Sequence, residues 1–251
     1  MKVLIIGGVA AGTKVAAKLK RENRDHEVTI LTSGESISYA GCGLPYYLGG
    51  LIEDEKELIV NTPKEFTELT GVNVLTETEA TKVNPDEKTV EAINLQTKET
   101  ATYDYDKLVI ATGARPIRPP FPGIDLDNVF LMRTPEDAIK MKDELNKKEI
   151  KRVVIVGGGF IGLEVAENLN EIGVMTTIID MADMVPPGFA PEFNEYMVDK
   201  LAENRIMMFT GTKLDSIIGE GKVEKIKTDK NVIRTDAVVL SIGVAANTAF
   251  L

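Results

Sequence analysis

The stretch VVIVGGGFIGLEVAENLN, residues 153–170, decides how this chain folds. Four apolar residues run into a glycine turn, and a helix follows whose apolar face is Val165, Ala166 and Leu169. A continuous apolar strand feeding a glycine turn and then an amphipathic helix is the opening of a parallel βα unit. The same pattern stands at the start of the chain, in VLIIGGVAAGTKVAAKLK (residues 3–20), with Val15, Ala16 and Leu19 as the helix face. A repeat at about 150 residues is far longer than a solenoid period, so it marks two related domains.

A second echo supports this. YDKLVIATGARP (residues 105–116) matches TDAVVLSIGVAAN (residues 235–247) as acid, apolar strand and glycine turn. Each half reads as strand, glycine turn, helix and second strand, at Val28–Leu31 and Thr176–Ile179, which predicts an α/β, doubly wound fold. Between these elements, VNVLTETEATKVNPDEKTVEAINL (residues 72–95) alternates and turns at Asn84–Pro85–Asp86, as an antiparallel meander does. GARPIRPPFPGI (residues 113–124) is proline-rich and marks a crossing between domains. Residues 134–152 read as a helix capped by Thr134, with Glu136 and Asp137 in its first turn.

The two glycine turns differ in quality. In the second, Gly157, Gly159 and Gly162 allow a tight turn, close approach to a pyrophosphate and close helix–strand packing, and the helix N-terminus attracts phosphate. Asp180 ends the next strand, where a carboxylate accepts hydrogen bonds from a ribose 2′-hydroxyl. The following MADMVPP (residues 181–187) offers no cation for a 2′-phosphate, so NADH is favoured over NADPH. In the first turn Gly7 and Gly12 are kept, but Val9 replaces the middle glycine. Thr32, with Ser33 beside it, stands where the acid is expected.

The totals narrow the function. Net charge is −10, which argues against general affinity for nucleic acid or anionic membrane. One cysteine excludes an internal disulfide, and one histidine, His26, leaves no plausible zinc cluster, a composition that fits a reducing cytoplasm. MKVLIIGGVAAG at the N-terminus imitates a signal peptide only loosely, because a charged amphipathic helix follows it. No apolar run approaches the ~18 residues needed to span a bilayer.

The lone cysteine, Cys42, lies in ISYAGCGLPYYLGG (residues 37–50). The thiolate is the nucleophile, so a reactive cysteine must be reachable and helped to ionise. A short helix with Pro45 in its first turn would present its positive end to the sulfur, and Gly41 and Gly43 remove bulk where a flat ring could approach. A small buried core thiol is the competing reading.

Two dinucleotide folds, an ATG strand between them and a single cysteine before proline resemble the pyridine nucleotide-disulfide oxidoreductases. In detail Ser38, Tyr39, Cys42 and Pro45 resemble the SFxxCxxP motif of the single-cysteine branch, the CoA-disulfide reductases, NADH oxidases and NADH peroxidases, with Tyr for Phe. The resemblance covers essentially the whole chain and is nearest to the CoA-disulfide reductases. It implies two Rossmann-like domains: an FAD-binding domain (residues 1–115) interrupted by an NAD(P)H-binding domain (116–246), with residues 247–251 beginning the return to the first, and an antiparallel meander in each. Family members continue with a segment that completes the FAD domain, then a C-terminal dimerisation domain, so a homodimer and a longer chain are expected. The cofactor-binding set implied is Gly7, Gly8, Val9, Ala10, Ala11, Gly12, Thr32, Ser33, Ala80, Ala111, Thr112, Gly113, Gly157, Gly159, Phe160, Ile161, Gly162, Glu164, Asp180 and Gly243. Phe160 matches an aromatic gate over the flavin and reads equally as a core phenylalanine. Glu164 matches a position near the nicotinamide and reads equally as an exposed helix carboxylate.

By resemblance Cys42 is catalytic: NADH reduces FAD, the flavin reduces oxidised Cys42, and the thiolate attacks a disulfide or persulfide. With no second cysteine, oxidised Cys42 must be a mixed disulfide with a small thiol or a sulfenic acid. Many oxidases and peroxidases of this branch carry a histidine in the first glycine turn. Here that position is Ala10, which tilts the expectation to CoA disulfide or CoA persulfide. Lys14, Lys18 and Arg21 share one helix face, suited to polyanionic CoA, and read equally as a solvated cationic face. Ser38 and Gly41 match other substrate contacts, though Gly41 replaces a common Asn. An NADH oxidase or peroxidase using a sulfenic acid, and a non-catalytic nucleotide- or CoA-binding redox sensor, are the alternatives.

Overall fold

The computed structural model describes residues 1–186 and 188–251, so Pro187, the last residue of the MADMVPP stretch, lies outside the described residues. The chain begins β1 (Lys2–Ile6), α1 (Ala10–Glu22), β2 (Glu27–Leu31), α2 (Leu44–Gly49), α3 (Pro63–Thr70) and β3 (Asn73–Leu75). Next come β4 (Thr78–Asn84), β5 (Thr89–Asn94), β6 (Thr100–Asp104), β7 (Lys107–Ile110), β8 (Ala114–Pro116) and β9 (Val129–Phe130). Then follow α4 (Pro135–Asn146), β10 (Arg152–Val156), α5 (Phe160–Glu171), β11 (Met175–Ile179), α6 (Pro191–Glu203) and β12 (Met207–Phe209). The last strands are β13 (Leu214–Ile218), β14 (Lys225–Thr228), β15 (Val232–Arg234), β16 (Ala237–Leu240) and β17 (Val244–Ala246).

The apolar repeats become the central strands of two parallel sheets, ordered β3-β2-β1-β7 and β12-β11-β10-β16-β9. β1 and β10 each have the next strand of their unit on one side and a much later strand on the other. The strand order therefore reverses beside each glycine turn, the point where open α/β sheets hold ligands. The expected meanders are β4-β5-β6 and β13-β14-β15, both antiparallel, and β8 pairs with β17 in a two-stranded ribbon. Thr134 caps α4 as expected: its hydroxyl accepts the Asp137 N–H, and Asp137 reaches back to the Thr134 N–H.

By packing, the chain divides into one compact unit of Met1–Ala40, Ile59–Arg115 and Ala246–Leu251, and another of Gly41–Leu58 and Pro116–Ala245. By packing, Gly41–Leu58, which carries Cys42, groups with the second unit. Leu44, Tyr47, Leu48 and Leu58 are buried in one cluster with Met141, Leu145, Val165 and Leu169, so the apolar face of α2 goes to α4 and α5. The first unit keeps its own core on both sides of its sheet, around Ile5, Ile30 and Phe66 and around Leu4, Leu31 and Val90.

The acid before each last strand has a structural job. The Asp106 carboxylate accepts the backbone N–H of Lys2 at 2.6 Å. The Asp236 carboxylate accepts those of Lys151 (3.0 Å) and Arg152 (2.9 Å), and the Arg152 guanidinium at 2.8 Å. Each acid ties down the start of a central strand. Burial alone would raise the Asp236 pKa, but the Arg152 guanidinium and the two backbone N–H groups outweigh it and hold the carboxyl below its ordinary value. Asp236→Asn is expected to lower stability in urea by about 1–2 kcal/mol at neutral pH. A carboxyl with a lowered folded-state pKa contributes stability that is full above its ordinary value and is lost as pH falls through the folded one. The gap between parent and variant should therefore close in that acid window; a gap that widens there would contradict this role.

Candidate functional site

In the second unit the chain turns sharply at Gly157, whose φ of +107° favours glycine and where a Cβ would lie 2.5 Å from the Ser241 carbonyl oxygen. Gly162 packs back against the Gly157 carbonyl. Gly159 is different: an added Cβ would meet nothing within 4 Å. Nothing among the described residues requires a glycine there, so the open space above it is the feature a pyrophosphate would use at the N-terminus of α5. Asp180 follows β11, and its carboxylate accepts the N–H groups of Gly158 (2.7 Å) and Ala182 (2.8 Å). Each oxygen then has a lone pair left for a ribose hydroxyl. These residues fit a dinucleotide.

Phe160 opens α5 and is 63% exposed, so it is not a core residue beneath the turn. It stands edge-on to Phe189, with ring centroids 5.9 Å apart, and Phe189 in turn meets Phe193 at 5.6 Å. Ile161 is exposed beside it, Glu164 is half-buried one turn along the helix, and Gly243 is exposed just beyond β16. Ser241 went unnoticed in the sequence. Its hydroxyl donates toward the carbonyls of Val156 (3.0 Å) and Gly157 (2.8 Å), fixing the turn from the strand beside it. The sequence signal was its place in the strand echo, opposite Ala111.

In the first unit the same geometry recurs with changes. Gly7 has φ +111° and lies against the Ala111 carbonyl, and Gly12 lies against the carbonyl of Gly7. Val9, half-buried, is the residue from which α1 starts, at the place matching Gly159. The Thr13 hydroxyl donates to the carbonyl of Val9. Ala10 and Ala11 are exposed in the first turn of α1, as is Ser33 after β2. Thr32 is buried, and its Cβ and methyl group are what face Gly8. This unit therefore has no counterpart to the bond between Asp180 and the Gly158 N–H. Ala80 is a core residue among Leu4, Ile6 and Leu31, so only its backbone is available to a ligand. Thr112 and Gly113 follow β7 and are held by Asn247, whose Nδ2 donates to the Thr112 carbonyl (3.2 Å) and whose N–H donates to that of Gly113 (3.1 Å). Asn247 was also missed. The first turn keeps the glycines that touch backbone, and its open middle position takes a valine without a clash.

Ser38 belongs to this unit, at φ +50°, unusual for a non-glycine residue. Its N–H donates to the Gly8 carbonyl (3.0 Å) and its carbonyl accepts the Val60 N–H (2.9 Å), which hold it there. Lys14, Lys18 and Arg21 are exposed on α1. Lys18 is ion-paired with Glu22, and the hydrogen bond and charge of Lys18 lower the Glu22 pKa. Among the described residues Lys14 and Arg21 form no ion pair.

Cys42 is exposed. It is the middle of a one-turn 3₁₀ segment, Gly41–Gly43, that runs directly into α2, with Pro45 in the first turn of that helix. The reading of a small buried thiol is thereby overturned. An added Cβ at Gly41 would meet nothing within 4 Å, so the position next to Cys42 is open as well.

The sequence pattern of the pyridine nucleotide-disulphide oxidoreductases matches residues 1–251. The chain belongs to this family. Membership implies FAD and NAD(P)H as cofactors. An NADH oxidase of Enterococcus faecalis is 34% identical over 100% of this chain and 56% of its own length. A coenzyme A disulfide reductase of Staphylococcus haemolyticus is 30% identical over 98% and 54%. Among solved structures, reduced CoADR-RHD of Bacillus anthracis superposes with a TM-score of 0.95 at 33% identity, over 99% of this chain and 45% of that one. A NAD-dependent persulfide reductase from A. fulgidus does so with a TM-score of 0.95 at 33% identity, over 100% and 47%. The chain thus spans about half the length of the relatives it matches. Among the described residues no helix is long and apolar enough to cross a membrane, and no group of three or more His, Cys, Asp or Glu side chains could hold a metal ion.

The two kinds of glycine can be separated by experiment. Gly159→Ala should leave the thermal midpoint within about 2 °C of the parent and weaken NADH binding about tenfold or more, because only the ligand needs the space. Gly157→Ala should destabilise by about 2 kcal/mol or more, through positive φ and the Ser241 carbonyl. Equal effects of the two on folding would contradict this division.

Proposed function

We propose that this chain carries the flavin- and nicotinamide-binding part, and the redox cysteine, of an enzyme that uses NADH to reduce CoA disulfide, CoA persulfide or a related small disulfide. The observation that carries the reading is Cys42: the sole cysteine, solvent-exposed, in a tight turn at the head of α2. The similarity to a CoA disulfide reductase and to a persulfide reductase supports it. The Cys42 thiolate attacks one sulfur of the disulfide. That S–S bond breaks, a mixed disulfide forms on Cys42, and one thiolate leaves. When bound, FAD and NADH supply the two electrons that, with one proton, release the second thiol and return Cys42 to its thiolate.

Lys14 and Arg21, with Lys18 exchanging Glu22 for a stronger anion, offer CoA phosphates a cationic helix face in a chain of net charge −10. Ser38, in the same unit, joins this substrate set. Gly7, Gly12, Thr32 and Ala111–Gly113 line the FAD side, and the turn at Gly157–Gly162 with Asp180 lines the NADH side. Two copies form the working enzyme. In the full-length protein Cys42→Ser should abolish NADH-dependent CoA-disulfide turnover, by about a thousandfold or more, while NADH still bleaches the flavin. Undiminished turnover in that variant would sink the proposal.

A second reading is supported by the 34% identity to an NADH oxidase: Cys42 cycling through a sulfenic acid with oxygen or peroxide as acceptor. Rapid oxygen uptake with NADH and no disulfide would favour it. The preference for NADH rests on Asp180. A related structure, an engineered water-forming NADPH oxidase bound to NADPH, carries among its substitutions an Asp replaced by Ala and the next residue replaced by Arg. Asp180→Ala should lower the ratio of kcat/KM for NADH over NADPH about tenfold or more, mainly through KM for NADH. An unchanged ratio would show that Asp180 does not select the cofactor.

A further inference from the structure

α2 has six residues, too few to hold together in water without tertiary support, yet the turn at its head carries the reactive sulfur. Its far end is where it is fastened. The Tyr46 carbonyl accepts the N–H groups of Leu51 (3.0 Å) and Ile52 (3.2 Å), and the Tyr47 carbonyl accepts that of Gly50 (3.2 Å). The Leu48 carbonyl accepts the Lys142 ammonium, from α4, at 2.8 Å. The same ammonium lies 5.7 Å above the Tyr47 ring. On the other flank Gly49 sits against α5, where a Cβ would come within 2.5 Å of Asn168 Oδ1. Asn168 is 7% exposed and is braced by its own bond to the Glu164 carbonyl (2.8 Å).

Lys142 is an expensive residue for this place. It is half-buried, burial lowers its pKa, and among the described residues it has no ion pair. An apolar side chain would fill the space between α4 and α2 at less cost, but would leave the Leu48 carbonyl without its charged donor. We infer that Lys142 is a positioning residue for Cys42: its ammonium completes the C-terminal turn of α2 and so holds the turn at the opposite end, with the sulfur, in one place. Asn168 supplies the fixed wall on the other side. The inference rests on the reading of Cys42 as the redox centre.

The test uses the full-length protein with K142M, which keeps the length and loses the charge, and K142R, which keeps the charge. K142Q serves in its place if K142M does not fold. Hydrogen exchange is read on the peptide covering residues 41–50, and kcat and KM are measured with NADH and CoA disulfide. For K142M the expected result is exchange about tenfold faster, confined to that peptide, and kcat about tenfold lower. KM for NADH should stay within about twofold, and K142R should restore both exchange and kcat. A K142M protein with parental kcat and exchange would overturn the inference, as would losses that Arg does not rescue or faster exchange spread through the fold. Turnover surviving in Cys42→Ser would remove the redox reading instead, and the exchange result with its Arg rescue would still decide whether Lys142 fastens α2.

Discussion

The structure depends on a backbone-to-backbone approach made twice. In each unit the residue after the central strand is a glycine at positive φ, packed against the carbonyl of the residue that follows the neighbouring strand: Gly7 on Ala111 and Gly157 on Ser241. A side chain at either place would push the strand end away and misdirect the helix that follows. With the contact made, the helix starts beside the point where the strand order reverses, and its free N–H groups face the crevice outside the sheet. The ends of the flanking strands then come to the same crevice, bringing Thr32 and Ser33 in one unit and Asp180 in the other. The acids Asp106 and Asp236 hold the opposite ends of these strands, so each central strand is fixed at both ends.

The two units use this frame for unequal tasks. Around Gly159 the second keeps an open space and a carboxylate bonded to the loop. The first keeps the two glycines that packing requires and places Val9 and the methyl of Thr32 where the other has space and charge. The comparison separates what a glycine turn needs for folding from what it needs for a ligand. Positions 7, 12, 157 and 162 face protein backbone, whereas 159 faces nothing.

Much of the site was legible because its signals are local. Strand, glycine turn and helix occupy eighteen consecutive residues, and the acid that closes the loop directly follows the next strand. The glycine neighbours and Pro45 set Cys42 apart in the sequence, and the fold decided its exposure. The residues that were missed act at a distance in sequence. Ser241 fixes a turn more than eighty residues before it, Asn247 holds Thr112 and Gly113, and Lys142 fastens a helix some ninety residues earlier. A polar residue at the end of a strand or on a helix face carries no periodic mark to set it apart from a solvated one. At Thr32 the sequence shows a residue in the place of the acid, but only the fold shows that its methyl faces the loop.

By itself, the sequence determined the parallel sheets, the doubled βα opening, the meanders, the cap at Thr134 and the presence of a single sulfhydryl. These follow from apolar periodicity, from glycine where only glycine fits, and from a residue count of one. Tertiary structure alone decided which unit owns that sulfur. Six residues of α2 are too short to show on paper which way their apolar face turns. Leu44, Tyr47 and Leu48 bury among Met141, Val165 and Leu169, residues about a hundred positions away, and that burial carries Cys42 into the second unit.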